Sequence, residues 1–194
     1  MQKLAVTQLL SLEQYARERP ASRPGMMAHR RARQLHIGAH CSWSFEDRRT
    51  VQYQVQEMLR SERIFEPDAI SEELETYNPL IPDGSNLKAT LMIEYADQEQ
   101  RARQLVELRG FERHCWMRVA GHEAVYAIAD EDLVRENDTK TAAVHFLRFE
   151  FAAAMIAAAR AGAALAAGVD HPAYRHSVDP LSPALRAELL ADFA

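Results

Sequence analysis

Cysteine is scarce: Cys41 and Cys115 are the only two in 194 residues, and they form no Cys-x-x-Cys pair. That excludes a disulfide framework, a zinc knuckle and the cysteine cluster an iron–sulfur centre needs, and it fits a reduced, cytoplasmic setting. Glycine is also sparse, with seven residues and none clustered. No Gly-x-Gly-x-x-Gly turn follows a strand and no phosphate-cradling loop occurs, which disfavours a nucleotide enzyme. No Glu-x-x-His pair is present for a di-iron site, and no Gly-x-Ser-x-Gly elbow for a hydrolase. The only long apolar run, Phe151 to Val169, is mostly alanine with Arg160 at its centre, and it would insert poorly into a membrane. The first twenty residues lack the charged start, apolar centre and cleavage site of a signal peptide. Lysine is rare as well: 20 of the 23 basic side chains are arginine.

What is present is an ordinary globular composition, 47% apolar and 26% charged, enough to build one buried core. The net charge of −5 is unevenly spread, because residues 1–63 carry eleven basic and six acidic side chains. Such a split marks an anion-facing or partner-facing N-terminal part. Overall acidity argues against nucleic acid as the main partner, since that binding relies on neutralising phosphates.

Along the chain, Ser11 caps a short helix that Pro20 is expected to stop, and a second, basic helix over 25–33 carries His29, Arg30, Arg31 and Arg33. Gln34 to Phe45 alternates like a strand, with His36 and His40 on one face. Phe45 to Ile64 is the chemically densest stretch. Asp47 or Thr50 can cap it, Val51, Val55, Met58 and Leu59 form its apolar stripe, and Tyr53, Gln56, Glu57 and Arg60 crowd the other side. Further on, 87–95 and 140–149 read as strands, the latter carrying His145 and Arg148. Residues 116–119 and 123–129 read as a hairpin around Ala120-Gly121-His122. The acidic stretch 129–138 is read as a loop or short helix without an EF-hand's spacing. A helix over 150–160, a strand over 163–169, the segment Asp170 to Tyr174 with His171, and a helix from Pro183 close the chain. The expected architecture is one α+β domain over 1–194: an antiparallel sheet of about five or six strands, helices packed on one side, and a basic helical extension over 1–33.

Four blocks, FEDRRTVQYQVQEMLRSERI, ELETYNPLIPDGSNLKATLMIEY, ADEDLVRENDTKTAAVHFLRFE and GVDHPAY, resemble the bacterial family catalogued as domain of unknown function number 3501. The resemblance covers nearly the whole chain. It departs where Ala142 stands in place of an expected serine, so no general role rests on that hydroxyl. It implies a single-domain bacterial protein with no established activity, often encoded beside iron–sulfur oxidoreductases and rubrerythrin-like proteins, and it carries over no catalytic residue.

Two functional readings follow. In the first, the protein is a non-catalytic accessory or interaction protein of such a redox system, docking through the basic N-terminal part and the Tyr53, Gln56, Glu57 and Arg60 face. In the second, it binds a small anion or a metal in a pocket between the 47–64 helix and the sheet, where Glu57, Arg60, His145 and Arg148 would converge. A third, purely structural reading makes the polar helix face a salt-bridge network between layers. No cofactor is expected; a mononuclear metal site drawing on Glu57, His145 or His171 is left open by the sequence, since ligands can converge from distant segments.

Overall fold

The computed structural model describes residues 2–131 and 139–194, so most of the acidic stretch 129–138 lies outside the described residues. The α+β class is as expected, and the strands are divided between two antiparallel sheets. The five-stranded sheet runs in the order β1 (Gln34–Ile37), β2 (Cys41–Glu46), β3 (Asn86–Ile93), β7 (Val144–Glu150), β6 (Ile128–Ala129). The four-stranded sheet runs β5 (Val125–Tyr126), β4 (Cys115–Val119), β8 (Leu165–His171), β9 (Tyr174–Val178). The division has a local cause at Ala127. Trp116 and Met117 pair with Tyr126 and Val125, whereas Ile128 and Ala129 pair with Arg148 and Leu147, so the chain leaves one sheet for the other within a single residue. The edge strand β9 escapes the apolar alternation because Arg175, His176 and Ser177 are all exposed.

Period-two alternation decides which side of each strand is buried. Trp43 and Phe45 of β2, Leu87 to Ile93 of β3 and Leu147 and Phe149 of β7 meet Met117, Val119, Leu165 and Val169 of the second sheet in one core, to which Leu105, Ala159, Leu185 and Leu189 add helical cover. Close approach fixes Gly168, where an added Cβ would lie 2.5 Å from the Trp116 ring. The expected continuous strand over 34–45 instead folds back at residues 38–40. Gly38 adopts φ +69 there, and a Cβ would meet the Tyr174 hydroxyl at 2.5 Å. That hydroxyl donates to the Ile37 carbonyl at 2.8 Å and accepts from the His40 amide at 3.0 Å, pinning the turn. His36 and His40 therefore do not share a strand face; His40 stacks on Tyr95 with ring centroids 4.0 Å apart.

The six α-helices are α1 (Leu12–Ala32), α2 (Arg48–Glu62), α3 (Pro67–Tyr77), α4 (Gln98–Glu107), α5 (Ala153–Arg160) and α6 (Pro183–Leu190). The Ser11 cap is in place, accepting from the Gln14 amide, but the two expected N-terminal helices are one: α1 runs through Pro20 and Pro24. The two prolines are four residues apart and both exposed, so the carbonyls they leave unpaired face water. Contacts before the prolines, from Tyr15 and Arg19 to Glu57, and after them, from His29 to Asp47 and Arg33 to the Phe45 carbonyl, hold the turns in register. Around α2 and α3 a second, smaller apolar cluster gathers Leu4, Val51, Val55, Leu59, Leu74 and Ile81. Among the described residues, no helix is long and apolar enough to cross a membrane.

Candidate functional site

The two clusters leave a cleft between them. Alternation turns Ser44 and Glu46 of β2, Lys88, Thr90 and Met92 of β3, and Phe146 and Arg148 of β7 away from the core, toward the helical layer. Register aligns them in rows: Ser44 opposite Thr90 opposite Phe146, and Glu46 opposite Lys88 opposite Arg148. The first turns of α2, started by an Asp47 cap with Thr50 in a reciprocal capping box, stand over these rows. Tyr77 at the end of α3 and Leu80 in the 3-10 turn that follows close the side.

The inner lobe of the cleft, about 220 Å³, is bordered by Arg30, Ser44, Glu46, Thr50, Val51, Gln54, Thr90 and Met92. The outer lobe, about 290 Å³, is bordered by Thr76, Pro79, Lys88, Glu131 and Arg148. Tyr77, Leu80 and Phe146 border both lobes, which makes them one cleft. Its electrostatics are uneven. Glu46 is engaged, accepting from the Thr50 hydroxyl at 2.5 Å and the Thr90 hydroxyl at 2.7 Å. Arg148 is engaged too, paired through two 2.8 Å bonds with Glu131, which raises its own pKa and lowers that of Glu131, and also bonded to Glu150, whose carboxyl is held down first by the Ser85 hydroxyl and then by Asn86 and Arg148. The Arg30 side chain has no hydrogen-bond or ion-pair partner among the described residues. Arg30 is thus a cation without an ion-pair partner among the described residues, bordering a half-enclosed space that it shares with hydroxyls, apolar side chains, the Gln54 amide and the already engaged Glu46 carboxylate.

The other expected site residues fall elsewhere. The four basic residues at the C-terminal end of α1 and its cap go four ways. His29 bonds Asp47 at 2.6 Å, Arg30 borders the cleft, Arg31 is exposed, and Arg33 is buried. Arg33 donates to the carbonyls of Phe45, Glu46 and Glu188 and pairs with Asp192. Burial pushes the Asp192 carboxyl up to about 6, against the pull of Arg33.

On α2, Gln56 is buried and its amide bonds both the N–H and the carbonyl of Leu10, at 2.7 and 3.3 Å. Glu57 accepts from Tyr15 at 2.6 Å and from Arg19 at 2.6 and 2.7 Å, a pairing that holds its carboxyl down at about 2. These two side chains thus spend their polar groups on α1 and the segment before it. Tyr53 borders a shallow groove between α1 and α2, and Arg60 is exposed. Of the four residues expected in a pocket between this helix and the sheet, only Arg148 borders the cleft.

His145 points inward and is fully buried. Its Nδ1 lies 2.6 Å from Asp130, which adopts φ +51, and its Nε2 lies 2.8 Å from the Thr141 hydroxyl. Glu112 stands 4.0 Å from that Nε2 with one buried oxygen unpartnered. His171 is held at both ring nitrogens, by the Arg109 carbonyl and the Ala173 amide. Glu57, His145 and His171 are therefore in three separate places. Among the described residues, no group of three His, Cys, Asp or Glu side chains is placed to hold a metal.

Ser44, Glu46, Lys88, Thr90 and Phe146 were not singled out from sequence. For Ser44, Thr90 and Phe146 the signal is faint but physical: outward-facing strand positions that carry hydroxyls and one aromatic ring, where a sheet open to water would carry longer charged chains; Glu46 and Lys88 carry no such signal.

The fold and the cleft define a class, an α+β protein with a helical layer standing off the outer face of an antiparallel sheet. The sequence profile of the family described as a protein of unknown function (DUF3501) matches residues 3–193, and the chain belongs to that family. The chain is also similar to a crystallised protein from Burkholderia pseudomallei K96243, described as novel and of unknown function, with 47% identity, a TM-score of 0.94 and full coverage of both chains. No protein of curated function matches it in sequence.

Proposed function

We propose that this protein binds a small organic anion, a carboxylate with an apolar body, in the cleft between α2 and the outer face of the five-stranded sheet. The observation that carries this reading is the guanidinium of Arg30, without an ion-pair partner among the described residues, beside a half-enclosed space lined by hydroxyls, Phe146 and a Glu46 carboxylate already bonded to Thr50 and Thr90. A cation left without a partner at a concave site costs desolvation energy that a bound carboxylate recovers through charge-assisted hydrogen bonds. Ser44 and Tyr77 supply hydroxyls for orientation, while Val51, Leu80, Met92 and Phe146 accept the apolar portion. The alternative, docking of an iron–sulfur oxidoreductase or a rubrerythrin-like protein on the polar face of α2, has less to work with. Gln56 and Glu57, two of its four residues, already bond the chain's own N-terminal part.

The test is a thermal-shift and calorimetric titration with straight-chain and aromatic monocarboxylates, on the wild type and on Arg30→Gln. Carboxylates are expected to raise the wild-type midpoint and to bind the variant roughly ten- to a hundredfold more weakly, the worth of one charge-assisted hydrogen bond. Equal shifts in both proteins, or none in either, would sink the reading. Recovery of a redox protein on immobilised wild type, lost on Arg60→Glu, would favour the docking alternative.

A further inference from the structure

Lys88 makes the cleft more than a binding site. The chain has three lysines among its 23 basic side chains. Lys3 and Lys140 are exposed, while Lys88 is half-buried within β3 on the wall of the outer lobe. Its position is one that a simple surface cation would not occupy. Its cross-strand neighbours on the same face are Glu46, already bonded to two threonine hydroxyls, and Arg148, a second cation. The Nζ contacts one neutral acceptor, the Pro79 carbonyl, and no carboxylate among the described residues lies within ion-pair reach. Arginine serves this chain where a cation is held in an ion pair, as at Arg19, Arg33 and Arg148. An amine at this one concave position offers what a guanidinium does not, a nitrogen that can lose its proton and act as a nucleophile.

We infer that Lys88 is the nucleophilic amine of a Schiff-base site, taking a small oxo acid whose carboxylate lies at Arg30 and whose carbonyl reaches the Lys88 nitrogen. The inference rests on the anion reading above and names the ligand class. Burial lowers the Lys88 pKa; the Asp83 and Glu131 carboxylates pull it back up and the Arg148 and Lys3 charges push it down, leaving it below that of an open-surface amine, so the neutral amine is more populated there. Lys88 and Thr90 lie two residues apart on one face of β3, about 7 Å along the strand. Tyr77, Leu80 and Phe146 border both lobes, so a small oxo acid held by its carboxylate at Arg30 presents its carbonyl along that shared wall toward the Lys88 amine. In the step itself, the amine lone pair forms the C–N bond while the carbonyl π electrons move to oxygen. The two amine hydrogens then leave with that oxygen as one water, and the C=N bond closes. No oxidant or second substrate is required.

The experiment is reductive trapping of the whole protein with glyoxylate and cyanoborohydride, read by intact mass and peptide mapping, with Lys3 and Lys140 as internal references. It is paired with thermal shifts in propionate, which carries the same charge and no reactive carbonyl. The expected result is a carboxymethyl adduct at Lys88, formed at least about tenfold faster than at the exposed lysines because the closed site orients the aldehyde. The adduct should vanish in Lys88→Arg and slow in Arg30→Gln. If propionate stabilises the wild type but not Arg30→Gln while trapping spreads evenly over the three lysines, the Schiff-base inference fails and the anion reading stands. Should propionate have no effect and Lys88 label no faster than the others, both fail. Rapid labelling of Lys88 that ignores Arg30→Gln keeps the amine's role and removes Arg30 as the anchor.

Discussion

At the scale of single residues, the polar side chains on α2 are structural fasteners. Glu57 receives a tyrosine hydroxyl and a two-pronged arginine from α1, and Arg19 above all holds its carboxyl near 2, where 4.5 is usual. A carboxyl whose folded pKa is depressed contributes stability above its unfolded value and loses it as pH falls through the folded one. Glu57→Gln is therefore expected to cost about 1–2 kcal/mol at neutral pH, the worth of a partly exposed charged network. The deficit should shrink between pH 4.5 and 2. Urea denaturation of both proteins across that range checks it, and a constant difference would contradict it. Arg33 is the harder case. Substituting Met leaves the buried Asp192 carboxyl without its partner and three carbonyls without a donor. Arg33→Met should cost about 3–5 kcal/mol, the range for breaking a buried pair from one side, measured as a fall in the denaturation midpoint.

At the scale of elements, α1 sets local propensity against tertiary contact. Two interior prolines ordinarily end a helix, which is why the basic residues read as a second, separate helix. Tyr15 and Arg19 before the break, and His29 and Arg33 after it, each find a buried or half-buried acceptor on α2, β2 or α6, and the aligned contacts outweigh the missing amide bonds. Pro24→Ala should consequently stabilise the fold. About 3 kcal/mol of helix-interior penalty is relieved, less the roughly 1 kcal/mol that proline saves by stiffening the unfolded chain, for a net gain of about 1–2 kcal/mol. Thermal unfolding followed by circular dichroism reads the gain directly; a loss would mean that the bend itself is needed. The other elements were more legible. The apolar stripe of α2, the inward faces of β3 and β7 and the Ser182 cap of α6, which accepts from Leu185, follow periodicity and cap chemistry without competition. The hairpin at residues 38–40 and the sheet change at Ala127 were not legible. The first depends on a hydroxyl from Tyr174, far along the chain, and the second on pairing partners that only the assembled sheets supply.

At the scale of the whole molecule, the cleft exists because two apolar clusters form separately. The sheets and α4, α5 and α6 share one; α2, α3 and the N-terminal segment share the other. Sequence periodicity shows each buried face but cannot show that a polar sheet face and a helix end will stand opposite each other. The site was therefore legible only at Arg30 and Arg148. The same division makes a dynamic prediction. With a cleft between the clusters, and with the Arg33 junction among the contacts that join them, the helical layer is expected to open at lower free energy than the central strands β3 and β7. Native-state hydrogen exchange should show α2 and α3 exchanging faster than those strands in the free protein. A ligand touching both walls stabilises the closed arrangement by mass action, about 2.7 kcal/mol at a concentration one hundred times its dissociation constant. Exchange should then slow by up to roughly a hundredfold in α2, in the turn after α3 and in β3 together. Slowing confined to one wall would mean that the anion sits on a surface of that wall, and the cleft would be a gap between two layers with no ligand of its own.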